Sequence, residues 1–131
     1  MIRPLLVHCM TALYPRAGDL PGLAELDPDA YARKVMGDVP WLMWFGVVGG
    51  ILVFVSTPIL TVRRPAPSFL LSAEKLDEHA NAVASHPNYA IRQAMFLLKM
   101  IAALHWGSRP EVLEHFALPA YPADPDSWRT S

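Results

Sequence analysis

Between Trp41 and Val62 the chain runs for 22 residues without a formal charge, WLMWFGVVGGILVFVSTPILTV, and stops at Arg63-Arg64. No other stretch restricts the fold so strongly. As one helix it would be about 33 Å long, enough for a hydrocarbon core of about 30 Å. If buried instead, it demands cover on every side, which a chain of 131 residues supplies poorly. Trp41, Trp44 and Phe45 at one end and the two arginines at the other are the flanks of a helix anchored at a membrane interface. On a spanning reading the arginines mark the cytoplasmic end.

The remaining sequence argues for a single all-α domain, residues 1–131. Thirteen prolines cut it into helix-sized blocks, and no run alternates polar with apolar residues as a strand would. The spacing predicts five to six helices. The first covers 4–14, ended by Pro15; the second opens with Asp27 as N-cap and Pro28 at its first position. The third is the long apolar helix, residues 40–62, with Pro58 kinking or ending it near its last turn. The fourth runs from Ser72 as N-cap to about Ser85, and the fifth from Tyr89 to Trp106 with Gly107 as its stop. A short sixth follows a capping box of Ser108 and Glu111, and residues 117–131 form an extended, proline-rich tail.

Charge and motifs exclude several functions. A net charge of −1, mixed along both halves, leaves no footprint for nucleic acid. One cysteine, Cys9, precludes an internal disulfide and reads as a small apolar helix residue. Gly46, Gly49 and Gly50 lie inside the apolar helix and not after a strand, so they are no dinucleotide fingerprint. Gly46 and Gly50 do form a G-x-x-x-G spacing, which lets another helix approach closely. His79 and His86, seven apart, suggest a shared helix face, and His8 and His105 invite a haem reading. Cysteine or carboxylate at ligand spacing and a C-x-x-C-H motif are both missing from the sequence. The expectation is no catalytic residue, no metal and no cofactor in this chain. The amino terminus, with a short apolar run and no small-residue cleavage site, does not read as a signal peptide.

The order ALYP, LPGLAELD, an apolar helix and then FLLSAEKLDEHANAVASHPNYAIRQAMFLLKMIAALHWGSRPEVLEHFALPAYP resembles the small-subunit family called gluconate 2-dehydrogenase subunit 3. It is also similar to the helical segment preceding membrane-associated long-chain alcohol oxidases. The matching positions are Phe69, Leu71, Ser72, Glu74, Leu98, Lys99, Trp106, Ser108, Pro110, Val112 and Tyr121. The chain departs from the pattern at His105-Trp106, where the family carries two tyrosines, and in a third helix without interspersed arginines.

The resemblance implies a helical, non-catalytic subunit that binds, stabilises and membrane-locates a large flavoprotein of the glucose-methanol-choline type, an alcohol dehydrogenase or oxidase. FAD belongs to that partner, and there is room for a further electron-transfer subunit. The implied location is the bacterial inner membrane, on its cytoplasmic side, with export alongside the partner left open. Leu98, Lys99, His105, Trp106, Pro110, Tyr121 and Trp128 are the expected partner interface. Trp41, Trp44, Phe45, Gly46, Gly50, Pro58, Arg63 and Arg64 are the expected membrane or helix-packing residues. The alternative is a single-span scaffold that assembles with other transmembrane helices through Gly46 and Gly50, with no flavoprotein. Because the family pattern lies on both sides of 40–62, a crossing there would divide one domain between two compartments.

Overall fold

The computed structural model describes residues 1–117. Seven α-helices and no strand are found among them. Helix α1 (Ile2–Leu13) turns Leu6, Cys9 and Met10 inward at helical spacing, with Pro4 tolerated in its first turn. After a loop and a short 3-10 turn at Leu23–Glu25 comes α2 (Pro28–Asp38). Pro28 does open that helix, but Asp27 caps nothing. It sits in the left-handed region at φ 53°, whereas a capping side chain needs extended backbone to reach the first free N–H groups.

The single apolar helix expected over 40–62 is instead two, α3 (Trp41–Ser56) and α4 (Pro58–Thr61), which is why seven helices stand where five to six were expected. The break follows from Pro58, which has no N–H to offer the Phe54 carbonyl four residues before it. Ser56 and Thr57 add to the bend by donating their hydroxyls to Leu52 O and Val53 O, both at 2.6 Å. Helix α3 is therefore 16 residues, about 24 Å, which falls short of a hydrocarbon core. No helix among the described residues is long and apolar enough to cross a membrane.

Helix α5 (Ala73–Ala84) starts as its sequence demands, with Ser72 Oγ accepting from the Lys75 N–H. Helix α6 (Tyr89–Ser108) is capped by Asn88, whose side chain accepts from the Ala90 N–H at 2.9 Å. It passes through Gly107, the expected stop, and ends where Pro110 forces Arg109 into extended backbone. Ser108 does not cap α7 (Pro110–His115); its hydroxyl bonds back to His105 O. Ala117 is the last described residue, so the tail expected over 117–131, with Tyr121 and Trp128, otherwise lies outside the described residues.

Helix α6 is the axis of the molecule, touching α1, α3, α5 and α7. Its closest neighbour is α3. A Cβ placed on Gly50 would meet Ala94 O at 2.8 Å and Leu98 Cγ at 3.0 Å, and one on Gly46 would meet Leu97 Cδ2 at 2.8 Å. The helix that the G-x-x-x-G spacing admits is thus α6 of the same chain.

Candidate functional site

Three regions collect the residues that the sequence singles out, together with some that it hides. The first is the outer side of α3. Trp41, Phe45 and Leu52 recur at helical spacing and are 73 %, 68 % and 62 % exposed, with Leu42 beside them. Ile59 and Leu60 of α4 continue the exposed apolar surface. Trp44 and Met43 turn sideways onto the core. No part of the described chain covers the outer stripe. Such a contiguous apolar surface is informative, whereas single exposed apolar residues are not. Arg63 and Arg64 follow, both exposed and neither in an ion pair among the described residues. Arg64 borders an open groove of about 440 Å³ lined by Val55, Ile59 and Pro67.

The second region lies under the break between α3 and α4, and sequence reasoning missed it. His79 of α5, fully buried, donates from Nε2 to the Phe54 carbonyl at 2.8 Å, the group that Pro58 leaves without a helical donor. Its Nδ1 then accepts from the Thr61 hydroxyl at 2.6 Å. The Phe54 ring lies between two histidines, 4.7 Å from His79 and 5.8 Å from His8. His8 Nε2 shares a 2.9 Å hydrogen bond with buried Ser68 Oγ, which fastens the 3-10 turn Ser68–Leu70 onto α1. Burial holds the pKa of both histidines below the usual imidazole range, and for His8 the nearby His79 adds to the effect. A signal was present in the sequence: a proline inside an apolar helix orphans the carbonyl four residues back, and a buried orphan needs a side-chain donor. Only the fold says which donor.

The shared face suggested for His79 and His86 does not form. His79 is spent inside, while His86, at the edge, accepts from the Asn88 N–H through Nδ1. No group of three or more His, Cys, Asp or Glu is placed to hold a metal ion among the described residues. Cys9 is buried on α1, and burial pushes its thiol up to about 12, so it carries no thiolate near neutral pH.

The third region is the carboxy-terminal part of α6, where the partner interface was expected. Leu98 is not at a surface at all; it is fully buried against α3. His105 stacks on Tyr31 at 4.1 Å and donates from Nε2 to Leu26 O at 2.6 Å. Trp106 donates from Nε1 to Pro21 O at 2.9 Å, with Tyr14 beside its ring. These two side chains therefore satisfy carbonyls of the loop between α1 and α2 and bind it to α6, and Tyr31 adds a bond to Ile101 O at 2.8 Å. Lys99 and Pro110 are exposed. Lys99 lies with Tyr89, Arg92 and Phe96 around a shallow cleft of about 330 Å³ between α5 and α6. The outward aromatic residues of α6 are Tyr89 and Phe96, neither of them foreseen as interface.

The histidines best placed for chemistry thus spend their ring nitrogens on closing helix ends and loops. What the surface offers is apolar contact: the outer stripe of α3 and α4 and the Tyr89–Phe96 side of α6. Compared with family models, curated proteins and solved structures, the chain matches none.

Proposed function

We propose that this chain is a non-catalytic accessory subunit that binds, stabilises and membrane-locates an FAD-dependent alcohol dehydrogenase or oxidase of the glucose-methanol-choline type. The observation that carries the proposal is the outer stripe of α3 and α4, an apolar helical surface that no described residue covers, in a chain whose His8, His79 and His105 serve its own packing. A helix apolar on all sides calls for cover on all sides, and the described residues cover only one. The resemblance to gluconate 2-dehydrogenase subunit 3 supplies the kind of partner, with FAD held there and electrons passing onward from it. Helix α6 would meet that partner through Tyr89, Phe96 and Lys99, and α3 would meet the bacterial inner membrane on its cytoplasmic side.

The single-span scaffold has less to rest on. It needs a crossing helix and a free glycine face, and here Gly46 and Gly50 are occupied by α6. The deciding experiment is purification of the tagged chain from cells that also express its genomic neighbours. A yellow, flavin-absorbing complex is the expected result. A colourless, partner-free oligomer would sink the accessory-subunit reading.

A further inference from the structure

The sequence from Val39 to Ala73 contains no aspartate or glutamate, and its only ionised side chains are Arg63 and Arg64. In the fold the outer stripe of α3 leads into α4 and the linker, where Val55, Ile59, Arg64 and Pro67 line one groove, and Arg64, Leu70 and Ser72 line a second beside Lys75 of α5. Phe69 and Leu70 are exposed there too, so apolar surface lies on both sides of the arginine pair. Arg63 is held in the left-handed region at φ 55° at the end of α4, and Arg64 lies against Val55 and Ile59 of the groove.

We propose that this side of the molecule lies flat on an anionic lipid surface. Trp41, Phe45, Leu52 and Ile59 would enter the boundary between headgroups and acyl chains, and Arg63 and Arg64 would take phosphate oxygens of anionic headgroups. The inference deepens the membrane-locating part of the proposed function and rests on it. Charge decides between lipid and a second copy of the chain. A two-fold contact sets the same patch against itself, so both arginine pairs would be buried with no carboxylate from residues 39–73 to meet them. Anionic headgroups supply that counter-charge along the whole edge, while the long arginine stems stay over apolar surface. A helix of 16 residues with one side packed on α6 fits this parallel placement and not a crossing. It also leaves α1, α2, α5 and α6 together on one side of the membrane.

The test is flotation of the purified full chain with vesicles of phosphatidylcholine alone and of phosphatidylcholine mixed with phosphatidylglycerol. Binding is expected only to the second, weakening as salt is raised. The R63Q/R64Q double variant, which changes two exposed side chains, should lower partitioning by about thirtyfold. Phe45→Glu should abolish it, with the far-ultraviolet circular dichroism of both variants unchanged. Absence of binding to either vesicle overturns the proposal, and so does equal binding to both with R63Q/R64Q indifferent. A dimer of the wild-type chain that Phe45→Glu dissociates overturns it in favour of a second copy. Flavin co-purification reports separately: a chain that brings down a yellow partner but ignores vesicles loses only the lipid assignment. One that binds anionic vesicles without any yellow partner upholds the lipid assignment and removes the flavoprotein.

Discussion

Three glycines on one helix, Gly46, Gly49 and Gly50, let the α3–α6 seam be tested with its own controls. A Cβ on Gly49 would meet nothing within 4 Å. Gly49→Ala should therefore stabilise the fold by about 0.5–1 kcal/mol through helix propensity alone. At Gly50 the same gain is opposed. The new Cβ would lie 2.8 Å from the Ala94 carbonyl oxygen and 3.0 Å from Leu98 Cγ, against an ordinary contact of about 3.5 Å. Helix α6 backbone cannot swing aside, so the two helices must part by roughly half an ångström, which weakens the dispersion contacts along their seam. Overpacking of this kind costs about 1–3 kcal/mol, so Gly50→Ala, less the same propensity gain, should be net destabilising by about 0–2.5 kcal/mol. At Gly46 the obstacle is the flexible end of Leu97, and alanine should be nearly neutral. Thermal unfolding followed by circular dichroism reads the series directly: the melting temperatures of Gly49→Ala and Gly50→Ala should differ by roughly 4–11 °C. If Gly50→Ala raises the melting temperature as much as Gly49→Ala does, α3 and α6 do not meet there. The glycine pair would then be free for a helix from another molecule.

Three further outcomes are expected. His79→Ala, which leaves the Phe54 carbonyl buried without a donor, should cost about 2–4 kcal/mol in urea unfolding; His79→Gln, which can still donate there and accept from Thr61, should cost much less. Because burial lowers the pKa of His8 and His79 in the folded state, the unfolded chain binds more protons just below the ordinary imidazole value of 6.5. Stability should be fully present above that pH and decline as pH falls through it towards the depressed folded values, and the His79→Gln variant should show a shallower decline in chemical denaturation across that range. Cys9, buried with its thiol pushed up to about 12, should resist alkylation at mildly alkaline pH and react only as fast as the chain opens, which mass-spectrometric labelling over a urea series would measure.

The helices themselves were legible from local chemistry. Ser72 and Pro28 mark helix starts by hydrogen-bond and dihedral rules that act within one turn of the chain, and each stands where its helix begins, whereas Asp27 and the Ser108–Glu111 capping box, read by the same rules, cap nothing. The same local logic failed at Gly107, where a weak stop signal gave way to packing around Trp106 and to the stronger restraint from Pro110. Composition also sufficed to show that residues 41–62 are free of charge and that a proline lies near their end. Whether that stretch was one helix, and which helix its glycines served, could not be read from it. Those answers depend on groups far apart in sequence: His79, 25 residues from Phe54, takes the carbonyl that Pro58 frees, and Ala94 and Leu98 fill the space left by Gly50. The candidate interface behaved the same way. Leu98, His105 and Trp106 looked available because apolar and aromatic residues at helical spacing read alike whether they face a partner or a core. Tertiary packing sent Leu98 to the α3 seam and spent the two ring donors on loop carbonyls, while it left Tyr89, Phe96 and the outer stripe of α3 facing outward. Local sequence determines which segments become helices because caps, prolines and periodicity act over a few residues; which side of each helix is satisfied within the chain, and which is left for a partner or a membrane, is settled only when the helices meet.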